Sequence, residues 1–261
     1  MTVSRPIADR IGALQAQFQE TYELVARNPY SRYDFHRGPY YARRYLGYKG
    51  ADLDSLPTVA IDRFTGVGNP LALGEIQPGE TVLDLGCGSG TDLLIAARRV
   101  GAHGKVIGVD ASPSMRRCAA MAARAAGLAE RVEVREGRCE ALPMEDESAD
   151  VVIANGVLSF VADRLAVFRE IHRVLRAGGR LYLAELVLDR RPAFGGRGTA
   201  DLWAGCIAGA MVEEELPELA ARAGLGGGKL VGCYDCLRDA PATDRMPERL
   251  KLHGVTFVAV K

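Results

Sequence analysis

The chain has 261 residues, 48% of them apolar and 25% charged, and its 33 Lys and Arg are matched by 33 Asp and Glu. That length suffices for one large domain or a domain with an appendage, and zero formal charge leaves no global field to favour nucleic acid, a membrane surface or a strongly charged partner. With no apolar signal-type core in "MTVSRPIADR" and no uncharged apolar run of about 18 residues, a cytoplasmic soluble protein without membrane contact is expected.

In chain order, Ile7, Ile11, Leu14, Phe18, Tyr22 and Val25 fall at three- and four-residue spacing and predict an amphipathic helix over 7–27. Most of the nine tyrosines follow between Tyr22 and Tyr48, in "YDFHRGPYYARRYLGY" and its flanks. Residues 1–60 thus read as a helical, tyrosine-rich cap ahead of a domain over 61–261. There "TVLDL" reads as a buried strand, and "TDLLIAARRV" as the helix after it, with Thr91 or Asp92 as cap. "KVIGVD" is a second strand. The next helix has Ser112 as cap, Pro113 in its first turn and Gly127 as its stop. "RVEVREG" and "ADVVIAN" are the third and fourth strands, a helix runs from Asp163 to Arg176, and "AGG" turns it into a fifth strand, "RLYLAEL". Strand alternating with helix at this spacing predicts a doubly covered parallel sheet, an α/β Rossmann-like fold. The rhythm then breaks at residues 190–212, read as an inserted lid, before a helix over 213–223, a strand near "KLVGCYD" and a last strand, "GVTFVAV".

Between the first strand and its helix lies Gly86-Cys87-Gly88-Ser89-Gly90, a side-chain-poor turn that lets a ligand lie against backbone N–H groups. A dinucleotide site needs G-x-G-x-x-G, and Thr91 stands where its third glycine would be. Asp84 decides between ligands: a carboxylate there repels a pyrophosphate and attracts an ammonium. S-adenosylmethionine carries no phosphate but has an amino group and a sulfonium. Asp110 ends the second strand, where a carboxylate can accept both ribose hydroxyls. The alternative, that both acids merely end strands, is weakened by their joint placement around the glycines.

"VLDLGCGSG", "GVDASPSM", "EALPMEDESADVVIAN" and "FREIHRVLRAGGRLYLAE" resemble the class I S-adenosylmethionine-dependent methyltransferases. The resemblance implies a seven-stranded sheet with its last strand antiparallel, Asp84 and the glycines at the methionine end, and Asp110 at the ribose. At the adenine end many relatives have G-D-A-E where this chain has "GRCE"; Arg138 is donor-only, so the backbone at Cys139 or the Glu140 carboxylate must substitute, with Ser112 beside the ring. The expected cofactor contacts are Asp84, Gly86, Cys87, Gly88, Gly90, Asp92, Asp110, Ala111, Ser112, Cys139, Glu140 and Asn155.

The flanks "GYKGADLDSLP", "GVGNPLAL", "DLWAGCIAGAMVEEELPELAARAGL" and "GVTFVAVK" resemble the arsenite methyltransferases, whose reaction depends on several cysteine thiolates. Of that set only Cys206 has a counterpart; Gly156 and Val67 stand where relatives carry cysteine, and no cysteine precedes Cys87. One thiolate does not chelate a metalloid that takes two or three soft ligands, unless Cys233 and Cys236 replace the missing ones. That CxxC pair lacks the further ligands of a zinc site, so no metal is expected. The expected activity is methyl transfer to a small-molecule acceptor, by a monomer or homodimer. The alternatives are arsenite methylation, an enzyme for which S-adenosylmethionine is itself the substrate, and a binding module without catalysis. Candidates for the catalytic groups are His36 and Tyr40 in the tyrosine-rich segment, Asn155 at the fourth strand's end and Cys206 in the lid, where Trp203 would line the pocket. Each has a plainer reading, His36 as a turn residue and the tyrosines as packing.

Overall fold

The computed structural model describes residues 7–190, 210–240 and 251–261. Its strands are β1 (Thr81–Leu85), β2 (Lys105–Asp110), β3 (Val132–Glu136), β4 (Ala149–Asn155), β5 (Leu175–Leu188), β6 (Met211–Val212), β7 (Gly226–Tyr234) and β8 (Leu252–Val260). They form one sheet in the order β3-β2-β1-β4-β5-β8-β7, with the two-residue β6 paired to the end of β5. Neighbours from β3 to β5 are parallel, while β8 runs antiparallel to both β5 and β7. This is the expected class I architecture, with β6 as an addition.

The helices are α1 (Ile7–Arg27), α2 (Gly38–Leu46), α3 (Gly50–Leu53), α4 (Thr58–Ile61), α5 (Thr91–Arg99), α6 (Pro113–Ala125), α7 (Arg164–Val174) and α8 (Glu215–Arg222). Successive strand side chains alternate between faces, so the central strands feed two cores. On one face Val82, Val106, Val151 and Ile153 meet Leu93, Leu94 and Ala97 of α5. On the other, Leu83, Ile107 and Val152 meet Phe168 and Ile171 of α7 and Leu216 of α8. Ser112 caps α6 through a 3.1 Å bond accepted from the Met115 N–H, and Asp163 caps α7 through one of 3.0 Å accepted from Ala166.

Two local expectations change. The residue before α5 is Gly90, at φ 97°, and no side chain caps the helix. The Thr91 hydroxyl instead donates to the Ala60 carbonyl at 3.3 Å, and Asp92 turns inward. β5 also begins at Leu175, directly after α7, so the "AGG" segment lies within the strand, across a register shift against β4.

The expected division at 60/61 runs through a continuous core. Tyr41, Leu46, Tyr48, Leu53 and Ile61 share one buried cluster with α5 and the sheet. The Ala60 carbonyl accepts the Ser89 hydroxyl of the glycine turn at 2.7 Å. α1 is attached differently, through a separate small cluster of Val25 and Ala26 with Met115 and Cys118. Apart from Arg190 and residues 210–212, the expected lid, with Trp203 and Cys206, lies outside the described residues. No helix among the described residues is long and apolar enough to cross a membrane.

Residues 64–69 form a strap across the carboxyl ends of β4 and β5 and the amino end of β8. A Cβ on Gly254 of β8 would lie 1.9 Å from the Val67 carbonyl oxygen, and one on Gly68 would lie 2.9 Å from the Ala184 Cβ. Gly254→Ala therefore forces strap and sheet apart; it is expected to lower unfolding free energy by about 1–3 kcal/mol or more in a denaturant titration.

Candidate active site

The carboxyl ends of β1, β2 and β4 open into a cavity of ≈ 270 Å³. Open α/β sheets bind ligands at this edge. The glycine turn forms its floor. Gly86 sits at φ 70°, and a Cβ there would meet Val157 Cγ2 at 2.5 Å. Gly88, at φ 52°, lines the cavity, and a Cβ there would meet no protein atom within 4 Å. Side chains are excluded at Gly86 by contact and disfavoured at Gly88 by conformation, which leaves backbone for a ligand to lie against.

Three aspartates face this space from around the glycine turn. Asp92, in the first turn of α5, is fully engaged: the Tyr48 hydroxyl donates to Oδ1 at 2.6 Å and the Asn155 amide to Oδ2 at 3.0 Å. Burial raises its pKa, and these two bonds oppose the rise. Asp110 accepts the Gly88 N–H at 2.9 Å and the Ser112 N–H at 2.8 Å, so the carboxylate itself clamps the glycine turn. Burial also raises its pKa, against those amides and the Arg116 guanidinium. Asp84 is different. It is buried, and its Oδ2 has no hydrogen-bond partner among the described residues. Burial, with repulsion from Asp92 and Asp110, holds it well above the usual carboxylate range.

Asn155 lines the cavity, but both ends of its amide are committed. Its oxygen accepts the Val67 N–H at 2.8 Å, and its nitrogen donates to Asp92, to the Gly68 carbonyl at 3.1 Å and to the Tyr48 hydroxyl at 3.2 Å. It ties the strap to α5. Of the twelve expected cofactor contacts, all but Gly90 line the cavity. Cys87 and Cys139 are among them as thiols whose pKa burial raises, Cys139 to about 12. Arg138 pairs with Glu140 at 3.2 Å beside Cys139.

The structure does not bring His36 or Tyr40 to the cavity. The His36 ring stacks on Tyr41 and Tyr45 at 5.3 and 5.1 Å, with Nε2 2.6 Å from the Arg238 carbonyl oxygen. Tyr40 is 72% exposed and meets Tyr45 edge-on. The reason is that α2 turns this face toward residues 235–240, while Tyr41 faces inward and donates to the Gly66 carbonyl at 2.8 Å. Cys206 lies outside the described residues. Cys233 is exposed; Cys236 is buried, its pKa raised to about 12 by burial, and neither lines the cavity.

Other residues at the site were not expected from sequence. Tyr48 holds Asp92. Gln19 and Tyr22 of α1 line the cavity, and Tyr22 meets Phe160 edge-on at 5.5 Å. Next to them, Glu23 accepts the Ser112 hydroxyl at 2.5 Å and the Ser114 N–H at 3.2 Å. The one signal for Glu23 is its position beside Tyr22 on the stripe of α1; its partner lies 89 residues away.

A methyltransferase-domain family model matches residues 76–224, from just before β1 to just beyond α8. An arsenite methyltransferase of Halobacterium salinarum is 41% identical over 179 residues, 69% of this chain and 45% of that protein. Another, of Aquipseudomonas alcaligenes, is 36% identical over 177 residues, 65% of this chain and 50% of that protein. The chain spans about half the length of these curated relatives. The crystal structure of an arsenic(III) S-adenosylmethionine methyltransferase from Chlamydomonas reinhardtii matches with a TM-score of 0.62 at 28% identity, over 87% of this chain and 75% of that one. With the sheet order, the glycine turn and the strand-end aspartates, these likenesses assign the chain to the methyltransferase-domain family, as a class I domain whose cofactor is S-adenosylmethionine.

Proposed function

We propose that this chain transfers the methyl group of S-adenosylmethionine to a small-molecule acceptor. The observation that carries the reading is the unpartnered, buried Asp84 oxygen at the glycine turn. A buried polar atom without a partner is costly, and a cation's hydrogen-bond donors would complete it. The site fits the cofactor on that ground. Asp84 would take the ammonium, with Gly86 to Ser89 offering backbone along the amino-acid arm. Asp110, whose oxygens keep further lone pairs, would accept the ribose hydroxyls, and the backbone at Cys139 with the Ser112 side would flank the adenine. When bound, the cofactor supplies an electrophilic methyl carbon on a sulfonium. Phe64, Val157, Phe160 and Tyr22 give the cavity apolar walls that keep water from that centre and suit a compact acceptor. Asp92 and Asn155 are already engaged with each other, with Tyr48 and with the strap, and Asp84 is assigned to the ammonium, so the acceptor's own nucleophilicity carries the reaction.

A second reading, arsenite as acceptor, is favoured by the arsenite methyltransferases among the relatives. Against it, the described thiols are dispersed: Cys87 packs against Gly108, Cys139 lies at the adenine end, and Cys236 sits outside the cavity. Assays with arsenite and a thiol reductant are expected to yield no methylated arsenic. Methylarsenicals that disappear in Cys206→Ser would install the metalloid reading instead, and turnover of S-adenosylmethionine alone, without S-adenosylhomocysteine, would mark it as the substrate.

The raised Asp84 pKa fixes a sign. In the ligand-free protein this group's contribution to stability is present below its unfolded value of about 3.9 and is lost as pH rises through its folded value. A bound cation favours the anion, so cofactor affinity rises with pH over that window. Calorimetry between about pH 5 and pH 8 is expected to show tighter S-adenosylhomocysteine binding at the higher pH, and Asp84→Asn to abolish the slope. The same variant should weaken binding by about 2 kcal/mol or more, roughly 30-fold in Kd. Its ligand-free melting temperature should rise at neutral pH, by about 2–4 °C per kcal/mol of relieved repulsion.

A further inference from the structure

Glu185 is wholly buried near the end of β5, on the strand face that otherwise carries Leu183 and Val187. A carboxylate there is tolerated only where donors surround it. Four do so. Oε2 accepts the backbone N–H groups of Val157 at 3.0 Å and Leu158 at 2.6 Å; Oε1 accepts the Ser159 hydroxyl and the Leu186 N–H, each at 2.9 Å. Three of these donors belong to one turn, residues 157–159, which follows β4. α7 holds the carbonyl side of that turn, where Arg164 Nε donates to the Leu158 oxygen at 3.2 Å.

The turn forms one wall of the cavity. Val157 touches the glycine floor at Gly86, and Phe160 reaches across to Tyr22 of α1. The sheet does not require the charge, since β5 keeps its backbone pairing with β4 and β8 whatever stands at 185. An apolar residue would fill the same volume without desolvating a carboxylate, but it would leave the Val157 and Leu158 amides without their acceptor. The charge therefore serves the turn.

We propose that Glu185 is a positioning residue for cofactor binding, its carboxylate fixing the 157–159 turn so that Val157 and Phe160 close the cavity against the glycine floor; this rests on the reading of that cavity as the S-adenosylmethionine site. Glu185→Gln keeps size and one acceptor oxygen but sets an amide NH₂ against backbone N–H donors. At a temperature where circular dichroism reports a folded protein, its Kd for S-adenosylhomocysteine by calorimetry should rise roughly tenfold. Hydrogen exchange at the Val157 and Leu158 amides should accelerate, while that of β1 and β2 stays unchanged. Phe168→Leu, in the same core layer and away from the cavity, should lower thermal stability yet leave Kd within about twofold.

Wild-type affinity in Glu185→Gln, or an equal loss in Phe168→Leu, would overturn the proposal. Should Glu185→Gln fail to fold, Ser159→Ala removes one donor and is expected to weaken binding about threefold. In the wild type itself the Val157 and Leu158 amides should exchange as slowly as those of β4, and rapid exchange there would equally overturn the assignment. A wild type that binds no S-adenosylhomocysteine refutes the cofactor reading instead, with the exchange pattern still reporting whether Glu185 fixes the turn.

Discussion

The rest of the site depends on three buried aspartates that face one cavity. Asp84, Asp92 and Asp110 come from the end of β1, the start of α5 and the end of β2. Burial raises the pKa of each, and at Asp84 the neighbouring acids raise it further. Such a cluster is costly wherever an oxygen lacks a donor. Asp110 finds its donors in the glycine turn and the bend into α6, so its charge organises the backbone that would face a ligand. Asp92 finds its donors in Tyr48 and Asn155. Asp84 alone retains an open oxygen, and the attraction the cavity offers a cation is concentrated there.

That division of labour explains why the cap is built into the fold. Tyr48 lies before β1 and brings its hydroxyl to Asp92 from outside the alternating strand and helix pattern. It also accepts from Asn155, which in turn holds the strap at Val67 and Gly68. The strap is pressed against β8 so closely that Gly254 has no room for a side chain. A chain of contacts thus runs from the carboxylate of α5, through one tyrosine and one asparagine, to the antiparallel strand β8. Cap and sheet edge act together in presenting the cavity, although they are far apart in sequence.

Local chemistry was legible in the sequence, and long-range pairing was not. Ser112 and Asp163 declare themselves as caps by residue type and by the periodicity that follows, and the glycines with their two acids mark a strand, turn and helix without outside help. Gly90 was harder, because Thr91 and Asp92 are both good cap residues until Ala60 and Tyr48 claim their side chains. His36 and Tyr40 looked available for catalysis because sequence gives residue type without direction. The turn of α2 then sends Tyr41 inward and His36 toward Arg238. Glu185 did leave a trace. A carboxylate inside an apolar strand run, "LYLAELVL", is a local conflict, and such conflicts mark places where the structure asks for something other than stability.

The thiols bear on what the acceptor side can do. A soft metalloid is held by thiolates, and a thiol that is to be a ligand must release its proton. Cys139 and Cys236 are buried where that release is unfavourable, each pushed up to about 12, and burial, with the Asp110 charge beside it, raises Cys87 too. The acids that favour a cationic cofactor therefore work against thiolate formation in the same cavity. Among the described residues, the thiols that line the cavity, Cys87 and Cys139, are buried beside acids, so burial and charge together disfavour them as ligands.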